Sequence, residues 1–155
     1  MATTSITGNE KPQTEEDGIP ESEFPYITFS VEETLYAINS KHTDCVEIIE
    51  SFTKMPKTPD YVLGIAAFRD TYVPLFNVRT IFGVPDESYG DNVIILRKNN
   101  TLCGLVVDKI ISNDLLDSFE DAFDNNKFVQ KIGGEKDSDT PIMILNYRKF
   151  FEVII

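Results

Sequence analysis

YVLGIAAFR (61–69) followed by YVPLFNV (72–78) decides how this chain is read. Two runs rich in branched and aromatic residues, separated only by Asp70-Thr71, form the pattern of an antiparallel hairpin with a tight turn. Pro74 lacks a backbone N–H, so it predicts an edge strand or a bulge. RTIFG (79–83), immediately after, fits one helical turn ended by Gly83.

The same strand pattern repeats outward in both directions. Upstream, FPYITFSV (24–31) and LYAIN (35–39) flank the polar Glu32-Glu33-Thr34 and predict a second hairpin. Downstream, NVIILR (92–97) and TLCGLVVD (101–108) predict a third across Lys98-Asn99-Asn100, where asparagine tolerates the left-handed backbone of a tight turn. KIIS (109–112), FVQKIG (128–133) and PIMILN (141–146) read as further strands, and YRKFFEVI (147–154) as a closing helix. KHTDCVEIIESF (41–52) breaks the pattern. Cys45, Ile48, Ile49 and Phe52 fall at helical spacing, which predicts a short amphipathic helix ending before Pro56. Residues 113–127 are acidic and read as a loop. About nine short strands with closely spaced turn signals argue for a barrel or sandwich, not for alternating βαβ units.

The chain has 155 residues, enough to bury a core without disulfides or metal. Its 26 acidic against 14 basic side chains give −12, a charge that repels nucleic acid and anionic lipid. Residues 1–23 hold six acids against Lys11 alone and no large apolar cluster. That composition cannot offset its ordering entropy, so 1–23 reads as a disordered acidic tail and 24–155 as the folded domain. The start of the sequence lacks a basic, then apolar, signal-peptide pattern, and no apolar run has the length of a membrane span. Two cysteines without a pairing pattern fit a reduced, cytoplasmic setting.

The catalytic inventory is thin. His42 is the single histidine, placed by this reading at a helix start near solvent, with no nucleophile motif around it. Asp114, Asp117, Glu120, Asp121 and Asp124 lack the EF-hand register and read as a solvated loop rather than a cation site. Gly133-Gly134-Glu135-Lys136 lacks Walker spacing and reads as a polar turn. Cys45 and Cys103 read as core residues. No enzyme, no cofactor and no metal site is expected. A strand-rich domain with so little chemistry is expected to bind proteins.

GIAAFRDTYVPLFNVRTIFG (64–83) resembles the segment that identifies CheW-like domains, where Gly-x-x-x-x-Arg-Gly precedes a strand of the form Val-Pro-x-x-Asp-Leu-Arg. Gly64, Arg69, Val73, Pro74 and Arg79 hold their places. TLCGLVVDKI (101–110) is similar to a second signature, Gly-x-x-Val-Asp, carried by Gly104, Val107 and Asp108. CVEIIE (45–50) occupies the place read as the family's Val-x-Glu-Ile helix, and PIMILNYRKFF (141–151) that of its closing strand and helix. The family glycine after the arginine is Asp70 here, the asparagine two residues before it is Ala67, the aspartate of the strand motif is Asn77, and Asn113 replaces an apolar residue.

The resemblance implies a mainly β fold of two small five-stranded SH3-like β-barrel subdomains packed together, with two or three short helices. It implies a non-enzymatic chemotaxis adaptor that couples methyl-accepting chemoreceptor tips to the regulatory domain of the histidine kinase CheA. Such an adaptor is cytoplasmic and recruited to the inner face of the membrane through the receptors, with no membrane insertion of its own. The alternative is a CheW-like scaffold in a non-motility signalling complex. The partner-binding positions carried over are Glu47 and Ile48 on the segment read as helical, Arg69 on the central hairpin, and Gly104 and Ile110 near the partner surface.

Overall fold

The computed structural model describes residues 18–84, 92–116, 118–121, 127–135 and 140–153. The expected disorder of 1–17 lies outside them, as do Asp117, Asp124 and Lys136. Among the described residues, eleven strands and two short helices follow in order: β1 (Tyr26–Val31), β2 (Thr34–Asn39), β3 (Thr43–Ile48), β4 (Val62–Phe68), β5 (Thr71–Asn77), α1 (Val78–Ile81), β6 (Asn92–Lys98), β7 (Thr101–Val107), β8 (Lys109–Asp114), β9 (Ser118–Asp121), β10 (Val129–Gly134), β11 (Ile142–Leu145) and α2 (Tyr147–Val153). Single 3-10 turns occupy Glu21–Glu23 and Ser40–His42.

The strands form two sheets, ordered β8-β1-β2-β11-β10-β9 and β3-β6-β7-β5-β4. Each sheet curls around its own apolar cluster. Ala66, Val73, Leu75, Val93, Ile95 and Val106 fill the five-stranded one, and Tyr26, Ala37, Leu116, Ile142 and Ile144 the six-stranded one. A third, larger cluster lies between them. It takes Ile27, Phe29 and Val31 from β1, Ile94 and Leu96 from β6, Cys103, Leu105 and Val107 from β7, and Phe150 and Phe151 from α2. Successive residues of a strand point to opposite faces, so β6 and β7 serve the shared core with one face and their own sheet's core with the other. That double burial explains why NVIILR and TLCGLVVD are apolar almost throughout instead of alternating.

Both sheets draw their edges together. In the six-stranded one, Tyr26 on β1 lies 5.7 Å from Phe119 on β9, ring to ring. In the five-stranded one, Thr53, just past β3, exchanges two 2.8 Å backbone hydrogen bonds with Ile65 on β4. This approach is what fixes Gly64. Its φ is +153°, and a Cβ there would sit 2.1 Å from the Thr53 carbonyl oxygen. It also explains Pro74. Ile65 uses both backbone groups on Thr53, so the Ile65–Pro74 pair of the β4–β5 ladder is a non-hydrogen-bonded one. Pairing of β5 with β7 begins only at Leu75. Proline therefore deletes no ladder bond; of the two expectations, an edge or a bulge, the edge is not met, since β5 is interior, and the register shift of this ladder lies at Val62/Gly64 and not at Pro74.

The mainly β fold of two small packed subdomains forms, with six strands in one sheet and five in the other. The three hairpins form, but the turn of the central one is Arg69-Asp70, one residue earlier than the expected Asp70-Thr71, with Thr71 already in β5. Four readings are corrected. Residues 43–48 are strand β3, not a helix, because their backbone pairs with β6 from Thr43↔Leu96 to Ile48↔Asn92. His42 is buried rather than near solvent, with 5% exposure in a 3-10 turn. The acidic stretch 113–127 contains β9, which pairs with β10. Gly133 and Gly134 belong to β10 and are buried, so they are not a turn.

Candidate partner-binding surface

Arg69 and Asp70 both adopt the left-handed conformation, with φ of 49° and 65°. Two such residues in a two-residue loop match the right-handed twist of β4 and β5, as in a type I′ turn. Glycine and asparagine adopt this geometry without strain; arginine does so at a cost of order 1 kcal/mol. The turn holds Arg69 at the hairpin tip, its side chain 59% exposed. The guanidinium lies 4.7 Å from the Phe68 ring centroid and donates to Asp44 Oδ2 at 2.9 Å. Arg97, at the end of β6, donates to the other carboxylate oxygen, also at 2.9 Å. Burial raises the Asp44 pKa, but the Arg97 hydrogen bond and the charges of Arg97 and Arg69 outweigh it and hold it below the ordinary value. One carboxylate thus serves two arginines.

The adjacent Cys45 thiol is pushed up to about 11 by burial and by Asp44 and Glu47. It is protonated at neutral pH and carries no nucleophilic chemistry.

Glu47 and Ile48 are neighbours on β3 and point to opposite faces. Glu47 is half-buried. Ile48 is 62% exposed and shares the outer face with exposed Val46. Asp44 stands on the same strand, so Arg69, Glu47 and Ile48 are brought to one subdomain, with the Arg69–Asp44 pair joining the hairpin tip to β3. Gly104 and Ile110 are placed differently. Gly104 is buried in the middle of β7, where a Cβ would lie 2.7 Å from Val93 Cγ1 and 2.9 Å from Leu75 Cδ2. Ile110 is half-buried on β8, opposite Phe29, and packs against the shared core.

An open groove of about 530 Å³ runs beside the hairpin. Val62, Ile65, Pro74 and Leu102 line it along with Met55 and Tyr72, and no lining residue is charged. Tyr72, second residue of β5, is 72% exposed. Asp44, Arg97 and Tyr72 were not among the positions read from the sequence. The signal for the first two is weak, since the chain places them 53 residues apart. Tyr72 was visible as an aromatic beside the turn.

The two signature segments meet in a second charged cluster. Arg79 on α1 donates to Asp108 Oδ1 through Nε at 2.9 Å and to Oδ2 through Nη2 at 2.8 Å. Nη2 also reaches Glu32 Oε2 at 3.2 Å, and the Glu32 backbone N–H donates to Asp108 at 3.0 Å. Asn77 accepts from the Arg79 N–H and caps α1. Arg79 therefore ties α1, the β7–β8 corner and the β1–β2 turn together.

Comparison with known proteins agrees with this architecture. The CheW-like domain family matches residues 25–153. The chemotaxis protein CheW of Helicobacter pylori is 28% identical over 122 residues, covering 72% of this chain and 73% of that protein. That of Thermotoga maritima is 26% identical over 138 residues, covering 85% and 90%. The crystal structure of the scaffolding protein TtCheW from Thermoanaerobacter tengcongensis superposes with a TM-score of 0.70 at 26% identity, over 79% of this chain and 88% of that one. With the family's domain spanning nearly all of the folded part, its two signature segments joined through Arg79 and Asp108, the chain belongs to the CheW-like domain family.

Proposed function

We propose that this chain is a chemotaxis coupling adaptor that works by binding alone, joining the cytoplasmic tips of methyl-accepting chemoreceptors to the regulatory domain of the histidine kinase CheA. The domain match over 25–153 supports the adaptor role. The observation that carries the choice of surface is the Arg69 tip. A long cation is held in an unfavourable backbone conformation, mostly in water, at the tip of a hairpin whose strands line an uncharged groove, and it is tied to β3, which exposes Val46 and Ile48. An exposed arginine beside uncharged apolar surface is the composition of a binding hot spot, where desolvation and pairing by a partner add energy that water does not supply. Glu47, Ile48 and Arg69 are the contact residues in this reading. Gly104 and Ile110 act from within, by shaping the sheets that present them. No helix among the described residues is long and apolar enough to cross a membrane.

The test is reconstitution of the full chain with the kinase and a receptor cytoplasmic fragment, read by co-sedimentation and receptor-dependent autophosphorylation. Formation of a ternary assembly that activates the kinase is expected. Absence of binding to both partners would overturn the reading.

A further inference from the structure

The segment before β1 is attached to the domain by polar groups. Gly18 to Glu23 are exposed except for Glu21, which is half-buried. Two of the domain's buried polar side chains end on this segment. His42 Nε2 meets Glu21 Oε2 at 2.5 Å, and Asn39 Nδ2 donates to the Glu21 carbonyl at 2.9 Å. Asn39 is 3% exposed. The His42 ring is fixed by stacking on Tyr147 of α2, with centroids 3.6 Å apart and planes 9° from parallel. Lys41 Nζ donates to the Ile19 carbonyl, and Asn39 Oδ1 accepts from the Lys41 N–H at 2.9 Å. The His42 hydrogen bond, with positive charge placed near the Glu21 carboxylate by Arg148, following Tyr147, and by Lys41, holds the Glu21 pKa below the ordinary value against the opposing effect of burial.

This is a built notch, with its imidazole locked in orientation and its amide turned toward the occupant's backbone. The occupant brings little apolar burial of its own, since Ile19, its one large apolar side chain, is 44% exposed. When it leaves, Asn39 Nδ2 loses the Glu21 carbonyl and His42 Nε2 loses the carboxylate, a cost that favours replacement by another carboxylate. We propose that Lys41, His42 and Arg148 form a carboxylate-binding site, that Glu21 fills it in cis as a detachable strap, and that a glutamate-bearing segment of a partner protein can take its place. The charge of the notch selects the occupant: the domain as a whole is acidic and repels such a segment, whereas the cations Lys41 and Arg148 flank the His42 ring here.

The experiment uses the full chain carrying Glu21→Ala and a synthetic peptide of residues 18–25, GIPESEFP. Binding is followed by the NMR signals of the His42 ring. The peptide is expected to shift these signals in the variant at millimolar concentration. In the wild type the tethered strap competes, so at least tenfold more peptide is expected to be needed. The same peptide with glutamine in place of the first glutamate is expected to leave the signals unmoved, and Arg148→Ala in the Glu21→Ala background to weaken binding severalfold. Equal response of wild type and variant, equal response to the glutamine peptide, or no response at all would overturn the site. A thermal melt accompanies each variant. If Glu21→Ala does not fold, Glu21→Gln replaces it; if neither folds, Glu21 is a fixed part of the core and the strap is not detachable.

Discussion

The two charged clusters of this domain are inversions of one another. In the first, one arginine, Arg79, serves two acids, Asp108 and Glu32, and its side chain is only 14% exposed. In the second, one acid, Asp44, serves two arginines, Arg69 and Arg97, both substantially in water. Bond lengths of 2.8–3.2 Å barely distinguish them. What differs is who is left without a partner when the hub or a spoke is removed. Loss of Arg79 leaves two acids facing each other around a partly buried corner. Loss of Arg69 leaves Asp44 still paired to Arg97. Similar geometry therefore serves the fold in one place and leaves a cation available for a partner in the other.

The sharpest way to break this comparison is Arg79→Ala. Removing one partner of a wholly buried ion pair costs ~3–5 kcal/mol; here partial exposure brings the expected loss to about 2–3 kcal/mol, read from the denaturant midpoint. A loss below ~0.5 kcal/mol would place Arg79 in the same class as Arg69 and end the distinction. Next comes Arg69→Ala. Its melt is expected to stay within ~0.5 kcal/mol of wild type, as for other surface changes. Its affinity for receptor and kinase is expected to fall at least tenfold by calorimetry, and further for Arg69→Glu. A collapsed melt would make Arg69 structural, and unchanged affinity for both partners would remove it from the surface.

Acid titration sharpens the comparison more finely. Burial raises the Asp108 pKa, but the Arg79 hydrogen bond, the Glu32 N–H and the Arg79 charge together bring it below the ordinary value. A carboxylate lowered in the folded state stabilises above its unfolded pKa of ~3.9, and that contribution is lost as pH falls through the folded value. Asp44 obeys the same sign. Stability measured from pH 6 downward is therefore expected to decline less steeply in Asp108→Asn and in Asp44→Asn than in wild type. Parallel curves for wild type and both variants would show that these carboxylates are not lowered. The smallest effect is expected at Asp70. With φ at 65°, Asp70→Gly relieves backbone strain while adding freedom to the unfolded chain, so the net change stays below ~1 kcal/mol. Asp70→Val should cost more, because a β-branched side chain resists that conformation. Equal stability of the two variants would deny that the turn constrains Arg69 at all.

Much of this was legible in the sequence because tight turns and double-sided strands leave strong local marks. The hairpins at 26–39, 62–77 and 92–107 follow from apolar runs broken near Glu32-Glu33-Thr34, Asp70-Thr71 and Lys98-Asn99-Asn100, although the exact turn residues came only from the pairing. Strand β3 was lost because two periods fit it. Cys45, Ile48, Ile49 and Phe52 satisfy a helix, while Cys45, Glu47 and Ile49 facing in and Val46 and Ile48 facing out satisfy a strand. The second choice places a glutamate inward and an isoleucine in water, which composition alone disfavours; pairing with β6 decides it. The charged clusters were hidden for another reason. Arg69 was legible as a tip residue, but Asp44 and Arg97 reach it only through the curl of the sheet, a contact no local pattern encodes.

Gly104 has a meaning beyond packing. A strand that is apolar on both faces has little in its hydrophobic pattern to forbid sliding along its neighbours, and a two-residue slip keeps every side chain on its original face. In β7 such a slip would carry Leu102 or Val106 to the place where Val93 and Leu75 leave no room even for a methyl group. The glycine is the one notch in a smooth ratchet. It acts as the key that sets the alignment of β5, β6 and β7, and with it the position of every residue displayed at the Arg69 tip.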